Sequence, residues 1–266
     1  MSAAPPRDAV AIAWVLVAAG AVLAGAALLD PRALPRGEDV WAKPLRFALA
    51  FAVQVATLLW LRVQLGATGP RGFAFDLVVR TQAWICLGEL LLIAFQGARG
   101  VESHFNYATA LDRAIFTLMG IGTAGVLLTC LAGAVAAALR PRPLDLAVAA
   151  GLLCCAAGGL VGVWMTFPTP DQAAALAAGL RPTAIGAAHA AEAGAAALPV
   201  FGWKPAGGDW RVAHFLGIHG LQVLPLLGLL VARRRISTVF GLCGGAAWVG
   251  LFLAAIAWST RVGPHA

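Results

Sequence analysis

Charged side chains are scarce in this chain of 266 residues, at 12% against 61% apolar ones. An average soluble domain carries about 25% charged residues and under 50% apolar ones. Even a chain of about 300 residues hides only roughly 75% of its surface on folding in water. A water-soluble globule is therefore excluded. The mean hydropathy of +0.84 excludes disorder too, because disordered chains are poor in apolar residues. Cysteine pairs at zinc-ribbon or thioredoxin spacing are missing as well. Cys86, Cys130, Cys154, Cys155 and Cys243 all lie inside apolar runs and read as small buried hydrophobes. No basic run exceeds the Arg233-Arg234-Arg235 triplet, and no RNA-binding signature is present. The net charge of +7 and the isoelectric point near 9.9 thus fit arginines and lysines facing anionic lipid headgroups, and no nucleic-acid partner.

What is abundant is uninterrupted hydrocarbon. A membrane-crossing helix needs about 20 apolar residues, and seven stretches qualify: 9–29, 44–61, 75–95, 110–139, 144–167, 212–232 and 238–259. The first follows Arg7 but outlasts the roughly 7–15 apolar residues of a secretory signal core, so it reads as a helix. The pattern predicts an all-α polytopic membrane protein, one integral membrane domain over residues 1–266 with seven transmembrane helices and a lipid bilayer around it. One connection is long, from Pro168 to Asp209, and its Ala-rich middle (173–197) is expected to form one or two short helices. No internal repeat is visible, so the inverted-repeat layout of many secondary transporters finds no support. Arg7, Arg62, Arg71, Arg140, Arg142 and the arginine triplet gather in the N-terminus and the short loops after spans two, four and six. By the positive-inside rule the N-terminus is cytoplasmic and the C-terminus outside, in a bacterial inner (cytoplasmic) membrane.

The opposite face collects the chemically capable side chains. Loop one–two offers Asp39, Trp41, Lys43 and Arg46. Loop three–four runs from Gln96 through Arg99, Glu102, Ser103, His104 and Asn106, with Asp112 and Arg113 just beyond. Loop five–six ends Gly208-Asp209-Trp210-Arg211, with His214, His219 and Gln222 following in span six. Asp209, after two glycines, is expected to cap that span. At about 100° per residue, Arg211, His214, Phe215, Ile218, His219 and Gln222 share one arc. Asn106, Thr109, Arg113, Thr117 and Gly120 share a stripe on span four, and Lys43, Phe47, Ala50 and Gln54 share one on span two. On span three, Gln82, Glu89 and Gln96 recur at seven-residue intervals. Ionised groups facing lipid cost roughly 2.5–3.5 kcal/mol each, so the stripes are expected to turn inward around a polar cavity open to the outer face.

Glu89 is the most deeply placed ionisable residue, either a functional carboxylate or helix glue bonded to Gln82, Gln54 or Gln222. Arg80 is expected to snorkel to the cytoplasmic surface. His189 and the terminal His265 receive no role. His104, His214 and His219 form the candidate metal set, for zinc or haem, since neutral imidazole ligates both. His214 and His219 stand five residues apart, not the four of the zinc-protease motif. Arg113 and Arg211 have geometry for an anionic headgroup or a carboxylate, or for ion pairs with Asp112, Glu102 or Asp209. With Lys43, Arg46, Arg99, Ser103, Asn106 and Gln222 they make the candidate binding surface for a lipid or small molecule.

Three blocks resemble a family of uncharacterised bacterial multi-pass membrane proteins: Lys43-Pro44-Leu45-Arg46-Phe47; Gln96 to Gly100 with Ser103 to Asn106; and Gly208 to Phe215 with His219 to Gln222. The resemblance spans helices two to six and implies no activity. A second resemblance is to the alkaline-ceramidase-like membrane hydrolases, seven-helix proteins that hold zinc with three histidines. Ser103, His104 and Asp112 match its first part; that family's HxxxH pair on the last helix compares with His214 and His219, which have one residue more between them and lie on helix six. It implies a zinc hydrolase.

Three readings follow. One is a membrane metalloprotein, either a hydrolase in which Glu102 or Asp112 handles the proton of metal-bound water, or a haem redox protein. Another is a transporter or channel with Glu89 and Arg113 on its path. The last is a non-catalytic membrane component.

Overall fold

The structure, a computed structural model, describes residues 4–34, 37–140, 142–189, 197–198 and 202–266. Its helices are α1 (Arg7–Leu29), α2 (Ala42–Leu65), α3 (Gly69–Ala98), α4 (Ala110–Ala138), α5 (Pro143–Trp164), α6 (Pro170–Ala177), α7 (Trp210–Ala232) and α8 (Thr238–Val262), with a 3-10 turn at Pro205–Gly207. Seven of them, all but α6, are long and apolar enough to cross a membrane. Among the described residues an isolated bridge joins Ala33 with Asp39. The all-α, seven-span expectation is met.

Several helix ends differ from the apolar pattern, two of them for reasons seen in local contacts. α3 starts at Gly69 rather than near residue 75, because Pro70 suits a first helical turn and Arg71 is accommodated. Its guanidinium lies 5.6 Å over the Phe75 ring, and its Nε donates to the Ala136 carbonyl at 2.9 Å. α5 stops at Trp164, since Phe167 N–H turns back to the Trp164 carbonyl at 3.1 Å. In the long connection, α6 is one short helix of the expected kind. It opens on a capping box in which Thr169 and Gln172 satisfy each other's amides. Residues 190–196 of the Ala-rich stretch lie outside the described residues.

The chain divides into two compact units, Met1–Asn106 with Ala110–Ala136 and Tyr107–Thr109 with Ala137–Ala266. In the first unit, α2 ends at Gly66, whose left-handed φ of 53° turns the chain toward α3 without a side-chain penalty. Beneath that turn Arg62 is 1% exposed. Its guanidinium donates to Asp76 at 2.6 Å and 3.3 Å and to the Ala67 carbonyl at 3.0 Å. A buried cation requires such partners, so this pair pins the α2–α3 hairpin.

In the second unit, α5 and α7 touch backbone to backbone. A Cβ at Gly158 would lie 2.5 Å from the Ile218 nitrogen, one at Gly217 2.4 Å from the Gly158 Cα, and one at Gly151 2.9 Å from Pro225. In lipid, helices associate through such close approach of small residues, because apolar side chains gain little by leaving hydrocarbon. α8 packs on α7, and its most apolar window is only 6% buried.

Candidate functional site

The polar residues of the first unit stand at several levels of α3. At its C-terminal end Gln96 is fully buried and Asp112, in the first turn of α4, is 2% exposed. Asp112 Oδ1 accepts from Arg99 Nη1 at 2.7 Å and from Gln96 Nε2 at 3.0 Å, and Arg99 also donates to the Gln96 amide oxygen. Asp112, a candidate proton handler, is thus engaged in an ion pair across the α3–α4 loop, and Arg99 is its partner.

Along that loop Ser103 Oγ lies 3.0 Å from His104 Nδ1. The His104 ring sits among Phe47, Phe105 and Phe116 at centroid distances of 5.5, 6.3 and 5.9 Å. Asn106 donates to the Glu102 carbonyl at 2.9 Å. Arg46 pairs with Glu38 and donates to the Ala42 carbonyl at 3.2 Å. Lys43, Glu102 and Ser103 help line a cavity of about 10 Å³, room for one water. The α4 stripe turns the other way. Arg113, Thr117 and Gly120 are exposed, and the buried face carries Asp112, Ile115, Phe116 and Met119. The apolar volume of those rings and branches packs against Ile93, Phe47 and Phe51, while the Thr117 hydroxyl is satisfied by the Arg113 carbonyl at 2.8 Å.

Nearer the N-terminal end of α3, Gln82 is fully buried. It accepts from Gln54 at 2.9 Å and donates to Thr129 at 3.1 Å and to Cys130 Sγ at 3.4 Å. Its hydrogen-bonding capacity is taken up within the α2–α3–α4 bundle. Glu89 sits between this node and Gln96, half-buried. Its carboxyl faces Gly122 of α4, where a Cβ would lie only 2.7 Å from Oε1. Among the described residues no hydrogen bond or ion pair reaches that carboxyl, so Gln82 and Gln54 bond each other instead of Glu89.

The second unit carries the third polar block. Asp209 is 1% exposed and caps α7, as the Gly-Gly-Asp order predicts. Its carboxylate accepts from the Arg211 amide at 3.0 Å, the Lys204 amide at 2.7 Å and the Arg211 guanidinium at 2.6 Å and 2.9 Å. Burial pushes the Asp209 carboxyl up, but Arg211 and the Lys204 amide outweigh it and hold the group below the usual carboxylate range. Arg211 also donates to the Gly202 carbonyl at 2.8 Å, so it ties the loop to α7.

His214 Nδ1 lies 2.8 Å from the Gly158 carbonyl, and Gly162 leaves room for the ring. A carbonyl only accepts, so Nδ1 carries the hydrogen and a neutral ring keeps its lone pair on Nε2. His219 Nδ1 pairs with the Gln222 amide oxygen at 3.1 Å, and the His219 ring packs 4.1 Å from that of Phe215. His104 belongs to the first unit, His214 and His219 to the second. Among the described residues no three His, Cys, Asp or Glu side chains are grouped to hold a metal ion.

No protein-family model matches the sequence, and no curated protein or solved structure is significantly similar to it. The structure supports one plain statement of class. This is an integral membrane protein.

Two groups were not legible in the sequence. The Arg62–Asp76 pair joins a residue that composition assigns to a loop, Arg62, to one at the start of span three. His265, read as a terminal residue without a role, donates from Nε2 to the Phe167 carbonyl at 3.0 Å and packs 5.5 Å from Trp164. The aromatic and proline density of Trp164, Phe167, Pro168 and Pro170 was the signal available for it.

Proposed function

We propose that this protein is a transporter or channel in which Glu89 binds and releases a proton within the membrane, with the N-terminus cytoplasmic. The observation that carries the reading is a carboxyl in the middle of α3 that has no bonded partner among the described residues, between two amide nodes that are fully bonded. An intramembrane carboxylate costs roughly 2.5–3.5 kcal/mol when ionised, and helix glue would recover part of that through hydrogen bonds. Glu89 makes none, so it is available for proton exchange. Gln82, Glu89 and Gln96 stand about 10 Å apart along the helix axis at 1.5 Å per residue.

The experiment is proton flux into liposomes containing the purified chain and an internal pH dye, under an imposed potential. Glu89→Gln is expected to abolish the flux and Glu89→Asp to retain part of it. Flux through Glu89→Gln equal to wild type would return Glu89 to a structural role.

A second reading, a metalloprotein holding zinc or haem, is favoured by one specific observation. The Gly158 carbonyl fixes the His214 ring through Nδ1, the arrangement in which metal-ligating histidines present Nε2. An absorbance spectrum and metal analysis on purified protein test it. A Soret band or bound metal lost in His214→Ala supports it, and colourless, metal-free protein removes it.

A further inference from the structure

At the C-terminal end of α5 the second unit holds a cavity of about 340 Å³, lined by Trp164, Phe167, Pro168, Pro170, Ala173 and His265. That is the lower range of volumes for small-molecule sites. Three of the six lining residues are aromatic, and they are arranged around Trp164. Phe167 lies 5.7 Å from it at an interplanar angle of 38°, and His265 5.5 Å away at 48°. Trp210 closes the far side of Trp164 at 6.2 Å, edge to face. Such tilts fan the rings rather than stack them, and Trp164 and Phe167 remain 44% and 52% exposed. Their faces are therefore open to a ligand.

The electrostatics favour a cation. Aromatic faces carry the negative side of the ring quadrupole, with indole the strongest. No Lys or Arg is part of the described lining. The aligned peptides of α5, 22 residues long, end beside Trp164 and place the negative pole of the helix there. The His265 ring donates from Nε2 to the Phe167 carbonyl at 3.0 Å. The opposing feature is the N-terminus of α6 at Pro170. Its capping box already takes the Gln172 amide, and Asp171 in the same turn adds negative charge.

Apart from His265 Nδ1, the described lining offers no side-chain atom that would coordinate a small hydrated ion, while methyl-sized apolar walls are plentiful. We propose that this cavity binds a quaternary ammonium group, as a free ligand or as the choline head of a lipid, by cation–π contact with Trp164 and Phe167. The site lies wholly within the second unit and stands or falls independently of Glu89.

The test is equilibrium binding of radiolabelled choline to the detergent-purified full chain. Tetramethylammonium is expected to compete, and 3,3-dimethylbutan-1-ol, which has the shape of choline without its charge, is expected not to. Trp164→Ala should weaken binding about tenfold or more, equivalent to about 1.4 kcal/mol, whereas Trp164→Phe keeps a ring and should lose less. Ala173→Lys adds a cation at an exposed position of α6, where it does not disturb packing, and should abolish binding. Equal competition by the neutral alcohol, choline binding unchanged in Ala173→Lys, or no binding at millimolar choline would each overturn the proposal. Nanodiscs assign the source. Free choline binding weaker in phosphatidylcholine than in phosphatidylglycerol supports the site with a lipid head as occupant; equal binding in the two supports it with a soluble ligand.

Discussion

Gly158→Leu is expected to leave little folded, extractable protein. The new Cβ alone would sit 2.5 Å from the Ile218 nitrogen and 2.7 Å from the Gly217 Cα, inside van der Waals contact with backbone that cannot rotate away. Adding methylenes to a packed interior costs about 1–3 kcal/mol where side chains yield. Here the helices themselves must separate, which breaks the hydrogen bond from His214 to the Gly158 carbonyl and opens the whole α5–α7 contact. Gly158→Ala should be extractable but melt at lower temperature. The matched control is Gly250→Leu on α8, where nothing lies within 4 Å of an added Cβ. Thermal stability by fluorescence-detected size exclusion reads all three. A Gly158→Leu protein as stable as the Gly250→Leu control would show that α5 and α7 do not meet at this point.

Asp76→Ala is the second large effect. It strips Arg62, itself 1% exposed, of both carboxylate bonds and leaves only the Ala67 carbonyl. Removing one partner of a buried ion pair costs about 3–5 kcal/mol, chiefly because the remaining charge stays buried and uncompensated. Replacing both partners with apolar groups avoids that penalty, so the double variant Arg62→Met with Asp76→Ala should recover most of the lost stability. Melting of the two variants in detergent decides the matter. If the double variant is no more stable than Asp76→Ala, the loss comes from packing rather than from a stranded cation.

The spans were legible because the bilayer leaves few options: a polar backbone in hydrocarbon must be helical and about 20 residues long. The Asp209 cap was legible for a similarly local reason, since two glycines followed by Asp and an apolar helix fix where the carboxylate must go. Which face of a helix turns inward was not. The α4 stripe of Arg113 and Thr117 looked as eligible for burial as any other, and periodicity carries no information about which neighbour offers apolar volume. Ile115 and Met119, on another face, won because Ile93, Phe47 and Phe51 were there to receive them.

Ion pairs followed the same division. Arg211 with Asp209 is two residues apart and could be foreseen. Arg62 with Asp76 depends on how tightly the α2–α3 turn closes, through the left-handed Gly66 and Gly69. For the candidate site, sequence spacing left Glu89 open between a functional carboxylate and helix glue, and it offered Gln82 as a bonding partner that proves to be committed to Gln54 and Thr129.

α8 has a consequence for how the protein responds to the membrane around it. Its 25 residues span about 37 Å at 1.5 Å per residue, longer than a hydrocarbon core of about 30 Å. With α7 as its packing partner, α8 is free to relieve that mismatch by leaning. His265 stands three residues beyond its C-terminal Val262, against Trp164, so the lean reaches the Trp164 ring. Bilayer thickness then becomes a control on the aromatic cavity, and choline affinity is expected to differ between nanodiscs of short-chain and long-chain phosphatidylglycerol. Identical affinities would mean that the hydrogen bond to the Phe167 carbonyl holds His265 in place however far the helix tilts.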